Sequence, residues 1–246
     1  MGGLHLKVYA HRGSSGTHPE NTIAAFRAAA VLPVYGVEFD VHMTKDGELV
    51  VIHDESIDRT SNGKGFIKDM TLTELKHYDV GKGFSPKFKG ETIPTLREVL
   101  YVFKDTHHHL NIELKSDVFP YDGMEQKVLQ MLKDYRLEER VVISSFNHEM
   151  VRNFKKIAPQ IETAILFMEV MIAPHEYAKV VGADAVHAFF PTVLRPMGQE
   201  VVASGRKVRV FTVNEEHYAD MLKEIGVDAI FTDYPEKMYR YLNMLH

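Results

Sequence analysis

The sequence predicts an α/β fold in which a parallel sheet closes into an eight-stranded barrel surrounded by helices. Short β-prone runs alternate with helix-like segments almost throughout the chain, a pattern typical of a parallel sheet covered by helices. The length of 246 residues matches the roughly 250 residues of such barrels. Nine strand-like runs can be counted, and the ninth is assigned to the return strand of a hairpin outside the barrel.

The barrel elements follow in chain order from apolar strand segments and helix-starting residues. Asn21, Asn147 and Asn214 each precede a helix-like segment and are predicted to be N-caps. The predicted helices cover 22–29, 95–103, 123–135, 148–157, 174–181, 193–203, 215–225 and the C-terminal segment from 234. Outside the hairpin, the predicted strands are 6–11, 110–114, 141–145, 163–167, 185–188, 208–213 and 229–232.

The segment 37–54 is predicted to be a β-hairpin that presents a functional site. Asp-Gly at 46–47, between alternating apolar residues, is a strong hairpin signal, and the link is too short for a parallel crossover. A two-residue turn would place His53 opposite Asp40, and a four-residue turn would place it opposite Glu38. In either register these three side chains share one face. The segment alone also allows a solvent-facing amphipathic strand.

A long irregular segment at about 55–92 is predicted to be an insertion within a single domain that spans 1–246. Its only clear helix signal is the capping box from Thr71 to Glu74. About forty residues with little core of their own exceed an ordinary barrel loop. We therefore expect this segment to lie over one end of the barrel.

Composition narrows the class of protein. The net charge of −5, with both signs spread along the chain, provides no basic stripe for nucleic acid or an anionic membrane. The absence of cysteine excludes disulfides and thiolate metal sites. No apolar run approaches the ~20 residues of a membrane span, and the N-terminus lacks the apolar stretch of a secretory signal. We expect a cytoplasmic protein with a small-molecule substrate.

Charged residues collect at the carboxyl ends of the predicted strands, where barrels place their catalytic groups. A carboxylate cluster without thiolates suits a hard cation such as Mg²⁺ or Ca²⁺, and two imidazoles can divide the roles of general base and general acid. An arginine and a lysine beside a metal suit a phosphate. The sequence therefore predicts metal-assisted phosphoester chemistry. The residues concerned are Glu38, Asp40, Glu113, His11, His53, Arg12 and Lys115.

The chain resembles the glycerophosphodiester phosphodiesterase family along nearly its whole length. The matching motifs are Ala-His-Arg-Gly at 10–13, Pro-Glu-Asn-Thr at 19–22, Glu-Phe-Asp-Val at 38–41, Ile-His-Asp at 52–54 and Asn-Ile-Glu-Leu-Lys at 111–115. Others lie at 44–47, 93–96, 144–146, 211–214 and 226–235. The order and spacing of so many pieces make the resemblance specific.

The resemblance implies a TIM (β/α)8 barrel with a small inserted cap after the second catalytic histidine. It also implies that His11 and His53 form the acid–base pair. Glu38, Asp40 and Glu113 would then be the metal ligands. The implied activity is metal-dependent hydrolysis of glycerophosphodiesters to glycerol 3-phosphate and an alcohol.

The resemblance further implies that Arg12 and Lys115 hold the phosphate, with Glu20 and Asn21 in support. Lys115 has a structural alternative, since it could simply pair with Glu113. Phe211 stands where many family members carry tryptophan, and this aromatic wall is expected to contact the substrate. The resemblance also places Asn21 among the substrate-binding residues.

Two competing functions are disfavoured by the sequence. Phosphodiester lyases similar to sphingomyelinase D-type toxins are secreted and disulfide-bonded, which a chain without cysteine cannot match. A silent phosphate-binding module would be expected to have lost His11, His53 or Glu113, and all three are present.

The sequence leaves several points open: the preferred alcohol, the cellular metal, the division of roles between the histidines, and whether the chain forms a homodimer. His187 matches no motif and is expected to line the pocket or to serve the structure. The attacking group is either water or the 2-hydroxyl of the substrate glycerol. We favour the 2-hydroxyl, because an attached nucleophile reaches effective concentrations of about 10⁵–10⁸ M.

Overall fold

The computed structural model describes residues 6–244, which contain a closed parallel barrel of eight strands and one additional strand. Closure is established because β1 pairs with both β2 and β9. The extra strand, β3, pairs antiparallel with β2 outside the barrel, as the sequence predicted. The strands are β1 Lys7–His11, β2 Gly36–Met43, β3 Leu49–Val51, β4 His109–Leu114, β5 Val141–Ser145, β6 Glu162–Phe167, β7 Ala185–Phe189, β8 Lys207–Phe211 and β9 Ala229–Thr232.

Helices surround the barrel, and within residues 6–244 none is long and apolar enough to cross a membrane. Short 3₁₀ turns occupy Ile67–Asp69, Pro86–Phe88 and Glu138–Arg140. The α-helices are α1 Ile23–Ala30, α2 Leu72–Leu75, α3 Leu96–Phe103, α4 Met124–Tyr135, α5 His148–Ile157, α6 Pro174–Val181, α7 Phe190–Val193, α8 Pro196–Ala203, α9 Glu216–Ile225 and α10 Pro235–Met244.

Successive side chains of a barrel strand point alternately into the core between sheet and helices and into the interior of the barrel. On β4, Leu110, Ile112 and Leu114 belong to the apolar core between sheet and helices. Asn111 and Glu113 have the opposite parity and line the cavity inside the barrel. Both faces of a parallel barrel are covered, so a polar residue on an inward position is buried even though it faces a cavity.

Aromatic packing fixes which face of β2 turns inward. Phe26 of α1 contacts Phe39 of β2 and Phe103 of α3 edge to face, with ring centroids 5.6 and 6.0 Å apart. All three side chains are fully buried, and each burial contributes about 1.5–3 kcal/mol. Because Phe39 lies between Glu38 and Asp40 in the sequence, its outward packing directs both carboxylates into the barrel.

The predicted hairpin is present, but both predicted registers are wrong. Val41 lies opposite Val51, and the Thr44 N–H donates to the Glu48 carbonyl oxygen at 2.9 Å. The loop therefore contains the three residues 45–47, and its glycine adopts a φ of 80°, as three-residue hairpin loops commonly require. Both predicted loops had an even number of residues, whereas the observed loop has three. Continued pairing in the observed register would therefore place residue 53 opposite residue 39, not opposite 38 or 40.

His53 nevertheless reaches the same site as Glu38. The strand β3 ends at Val51, and the next N–H, that of Ile52, still donates to the Asp40 carbonyl oxygen at 3.0 Å. The chain leaves the strand there, so the direction of the His53 side chain no longer follows the alternation of β3. His53 lines the central cavity. A bend, not the hairpin register, brings the histidine and the carboxylates together.

The inserted segment has more core than predicted. Ile57, Ile67, Leu75 and Val80 form a buried apolar cluster with residues of β3 and of the chain just before α3. The expectation of little core was wrong because these side chains are separated by 10, 8 and 5 positions, a spacing without strand or helix periodicity. The capping box that begins α2 is confirmed.

Two of the three predicted asparagine N-caps are wrong, and both errors concern the site. Asn147 caps α5 as predicted. Thr22, not Asn21, caps α1 and accepts the backbone N–H three residues later. Asn214 lies before α9 without capping it and donates from Nδ2 to Asp233 Oδ2 at 2.7 Å. Asn21 and Asn214 carry functional-site contacts instead.

Candidate active site

Three carboxylates meet at the carboxyl end of the barrel. Glu38 and Asp40 lie on β2, and the strand register places Asp40 beside Glu113 of β4. Each residue offers one oxygen, and these three oxygens lie within 4.8 Å of one another. The residues are only 4%, 1% and 9% exposed, respectively. The structure therefore brings together the three residues that the sequence suggested as metal ligands.

Burial and mutual proximity shift the pKa values of the three carboxyl groups. Burial, reinforced by Asp40 and Glu113, raises the pKa of Glu38 well above its usual range. Burial also raises the pKa of Glu113, against the opposing effect of Lys115. Burial disfavours the charged form of Asp40 too, but Arg12 and other cations outweigh it and keep the pKa of Asp40 low. Oxygen ligands of this kind fit a hard divalent cation, which would stabilise all three as carboxylates.

The two cations beside the cluster have carboxylate partners. Arg12 follows β1, lines the cavity, and its Nη1 donates to Glu20 Oε1 at 2.9 Å. The Nε atom of Arg12 lies 3.4 Å from Asp40 Oδ2. Lys115, which is 7% exposed, donates from Nζ to Glu113 Oε1 at 2.9 Å. The pairing of Lys115 with Glu113 that the sequence left open is thus observed.

A partly buried carboxylate, that of Asp233, orients His11. The Nδ1 atom of His11 lies 2.7 Å from Asp233 Oδ1, and the other ring nitrogen, Nε2, is 3.9 Å from Glu38 Oε2. Asp233 also accepts hydrogen bonds from Ser15 Oγ and Asn214 Nδ2 at 3.0 and 2.7 Å. A carboxylate on Nδ1 fixes the imidazole and leaves Nε2 for proton transfer. No role was predicted for Asp233, although it lies in the 226–235 motif of the family resemblance.

A second carboxylate orients His53. Its Nδ1 atom lies 2.6 Å from Asp54 Oδ1. Arg59 of the insertion donates from Nε and Nη2 to Asp54 at 2.7 and 3.1 Å. The same guanidinium donates from Nη1 and Nη2 to Glu20 at 2.8 Å each. Because Glu20 also holds Arg12, Arg59 links the His53 dyad to Arg12, a connection that sequence spacing did not reveal.

The Asp233 interactions predict a pH-dependent contribution to stability. Burial alone would raise the pKa of Asp233, but His11, Asn214 and Ser15 outweigh it and lower the pKa from 3.8 to about 2. Because the pKa of Asp233 is lower in the folded protein, ionised Asp233 stabilises the fold above about pH 3.8. This stabilisation is lost as the pH falls through about 2. Asp233→Asn should lower the free energy of unfolding at pH 6 by about 2 kcal/mol.

Urea unfolding at several pH values measures this effect. Between pH 4 and pH 2, wild-type protein should lose stability more steeply than Asp233→Asn. Parallel pH profiles for the two proteins would show that Asp233 does not carry the linkage.

The Arg59 contacts predict a loss of activity without a loss of fold. Arg59→Lys replaces a fork that holds two carboxylates with a single ammonium group, so His53 and Arg12 should become less well positioned. Because small misplacements of catalytic groups are costly, we expect kcat to fall about 10-fold or more. Arg97→Lys, at an exposed position of α3, is the matched control and should change kcat little. An unaltered kcat in Arg59→Lys would mean that the insertion does not position the site.

Several of the site residues described above line a cavity of about 340 Å³. The polar lining includes His11, Arg12, Glu38, His53 and Glu113. The apolar lining consists of Phe146, Leu166, Met168, Phe189, Phe211 and Phe231. The predicted aromatic Phe211 is thus among the residues that line the cavity.

Asn21 and Lys115 are not among the residues that line the cavity, unlike Arg12 and Phe211. Asn21 instead contacts the acidic cluster. It is buried, and its Nδ2 donates to Asp40 Oδ2 at 2.8 Å. Its backbone has a φ of 56°, a left-handed conformation that asparagine tolerates better than most residues. The side chain therefore steadies the acidic cluster in this structure.

Comparisons with known proteins agree with this geometry. A family model described as "Glycerophosphoryl diester phosphodiesterase family" matches residues 11–237. A glycerophosphodiester phosphodiesterase from Caldanaerobacter subterraneus subsp. tengcongensis is 44% identical over 231 residues, which cover 94% of this chain and 95% of that protein. Another from Bacillus altitudinis is 41% identical, with 94% and 96% covered.

A solved structure is similar over the same extent. An Oleispira antarctica phosphodiesterase, in complex with its product sn-glycerol-3-phosphate, superposes with a TM-score of 0.88. It is 33% identical to this chain, and the match covers 96% of each protein. The TIM barrel predicted from the sequence is confirmed by this likeness and by the closed eight-stranded sheet.

Proposed function

Because this chain belongs to the glycerophosphodiester phosphodiesterase family, we propose that it hydrolyses glycerophosphodiesters with a bound divalent cation and the pair His11 and His53. Family membership makes the chain an enzyme that cleaves glycerophosphodiesters. The proposal adds the cation, the acid–base pair and the products glycerol 3-phosphate and an alcohol. One observation carries it: three buried carboxylates converge, and two of them, Glu38 and Glu113, line a cavity with two imidazoles that are each oriented by a carboxylate.

Glu38, Asp40 and Glu113 would hold the cation, which we propose to be Mg²⁺ or Ca²⁺. Their oxygens lie close enough to bind one ion, and burial together with the neighbouring carboxylates raises the pKa of Glu38 and Glu113, which a bound cation would oppose. When bound, such a cation polarises phosphoryl oxygens and offsets the charge that develops on them.

Arg12 and Lys115 are proposed to hold the phosphate. The guanidinium of Arg12 lines the cavity and is steadied by Glu20, so it can present its fork to two phosphate oxygens. Lys115 adds a buried positive charge beside Glu113. Asn21 would act through Asp40, and Phe211 would contact the carbon atoms of the substrate.

His11 and His53 are proposed to move the protons of the reaction. One imidazole takes the proton of the attacking hydroxyl as a new O–P bond forms, and the other protonates the departing alcohol as its P–O bond breaks. In the two-step route a cyclic phosphate results, and water then opens it with the proton transfers reversed. The net reaction consumes one water and leaves both histidines as they began.

Glycerophosphocholine tests the proposed function. The enzyme should release glycerol 3-phosphate and choline in equal amounts, because the glycerol side keeps the phosphate. Release of glycerol and phosphocholine instead would show that the opposite P–O bond breaks. An absence of any hydrolysis by folded, metal-supplied protein would overturn the proposal.

A deoxy analogue identifies the nucleophile. If the 2-hydroxyl attacks, glycerophosphocholine lacking only that hydroxyl should bind but not turn over, because the high effective concentration of the attached nucleophile is lost. Competitive inhibition assays measure its binding, and choline release measures its turnover. Hydrolysis of the analogue at a comparable rate would identify water as the attacking group and exclude the cyclic intermediate.

A further inference from the structure

The innermost residues of the cavity include a histidine that the proposed chemistry does not use. His187 on β7 is fully buried, and its Nε2 lies 3.0 Å from Nη1 of Arg209. Arg209 is itself fixed by a hydrogen bond from Nη2 to Glu162 Oε1 at 2.5 Å. A guanidinium can only donate, so Nε2 must accept, and the ring is neutral with its proton on Nδ1.

The proton on Nδ1 has no acceptor in the described part of the chain, where this atom is buried without a hydrogen-bond partner. Burial and the nearby Arg209 both lower the pKa of His187 well below its usual value, which agrees with a neutral ring. A buried, unsatisfied donor costs free energy. We expect such an N–H group in the lining of a substrate cavity to donate a hydrogen bond to a ligand.

Asn111 supplies the complementary group. It lies on β4 and is 2% exposed, and its Nδ2 donates to Ser144 Oγ at 3.0 Å. Within residues 6–244, its Oδ1 is buried and has no hydrogen-bond partner. Asn111 and His187 line the same cavity, one offering an acceptor and the other a donor.

Each residue lies deeper than the next inward-facing residue of its own strand, and Asn111 stands beside Glu38 of β2. Asn111 precedes Glu113 by two positions on β4, and His187 precedes Phe189 by two positions on β7. Side chains two residues apart point to the same face of a strand. Each residue therefore lies one side-chain layer further into the barrel than Glu113 or Phe189.

We propose that Asn111 and His187 form a subsite that recognises the free primary hydroxyl of the substrate's glycerol moiety. A hydroxyl group donates one hydrogen bond and accepts others, so it can satisfy the Asn111 oxygen and the His187 N–H together. This assignment rests on the proposed function, because it presumes a glycerol phosphodiester in the cavity.

The primary hydroxyl fits this position better than the 2-hydroxyl. The 2-hydroxyl is attached next to the phosphate-bearing carbon and must remain near phosphorus if it attacks. The primary hydroxyl is one carbon further away and can extend into the deeper layer. The aromatic walls would contact the carbon atoms between phosphate and hydroxyl.

Comparison of two substrates tests the subsite in the wild-type enzyme. The first is glycerophosphocholine, and the second is its analogue in which only the primary hydroxyl is replaced by hydrogen. Sites that hydrogen-bond a substrate hydroxyl strongly reject analogues that lack it, so kcat/KM should fall by at least about 10²-fold. Similar kcat/KM values for the two esters would overturn the subsite while leaving the proposed function intact. Hydrolysis of neither ester would refute the proposed function and, with it, the subsite.

Variants locate the effect in the two residues. Asn111→Leu and His187→Phe should each lower kcat/KM for glycerophosphocholine by about 10-fold or more, yet change it little for the deoxy analogue. Phe189→Leu, on the apolar wall, is the control and should affect both substrates equally. If Asn111→Leu lowers both substrates in proportion, its role is structural and the assignment fails. The wild-type comparison decides the question even if His187→Phe does not fold.

Discussion

Replacing His11 or His53 with alanine should lower turnover of glycerophosphocholine by about 10²–10⁴-fold, the range expected for loss of a general acid or base. Each imidazole is held at Nδ1 by a carboxylate, at 2.7 Å for His11 and 2.6 Å for His53. Both line the same cavity as Glu38 and Glu113. Removing either ring should therefore remove one proton transfer while leaving the cation and phosphate sites in place.

Steady-state kinetics should show this loss mainly in kcat. The folded state should persist, because His11 ends β1, His53 lies beyond the end of β3, and both side chains are partly exposed. His217→Ala is a suitable control, since this side chain on α9 is 59% exposed. Near-normal turnover in either His11→Ala or His53→Ala would show that the residue concerned is not an acid–base catalyst.

Removing divalent cations with excess EDTA should abolish turnover, and adding back Mg²⁺ or Ca²⁺ should restore it. Glu38, Asp40 and Glu113 are all buried, and burial raises the pKa of two of them. Three such carboxylates cannot all be ionised at low cost without a compensating cation. Without it, the site loses its proposed means of stabilising charge on the phosphoryl oxygens.

The same experiment has a readout that does not depend on catalysis. An ion that binds only the folded protein should raise Tm in a concentration-dependent manner. Asp40→Asn, which removes one ligand charge, should reduce this shift in Tm. Full activity of wild-type protein in rigorously metal-free buffer would exclude the proposed metal dependence.

The parts of the fold that sequence reasoning predicted depend on local patterns. Alternating and apolar strands, separated by amphipathic helices, were sufficient for the barrel. The inward parity of Glu38 and Asp40 follows from the apolar residues between and beside them, among them Phe39. The convergence of charged groups from distant strands required only the rule that functional residues lie at strand carboxyl ends.

The parts that were mispredicted depend on tertiary contacts. Asn214 looked like a helix cap, but Asp233 competes for its side chain from a neighbouring loop. The hairpin register depended on whether the loop held two, three or four residues, and Asp-Gly alone does not distinguish these. The orienting role of Arg59 arises because the insertion folds back onto Glu20, 39 positions earlier in the chain, which no local pattern encodes.

The most direct test of the metal centre measures the release of glycerol 3-phosphate against the number of divalent ions bound per chain. Protein stripped with a chelator is titrated with Mg²⁺ or Ca²⁺, and bound metal and rate are determined in the same samples. We expect the rate to rise in proportion to occupancy of the Glu38, Asp40 and Glu113 cluster and then to level off, and Asp40→Asn to require far more metal. A rate that is independent of bound metal would contradict the assignment of this cluster as the ion site that the reaction requires.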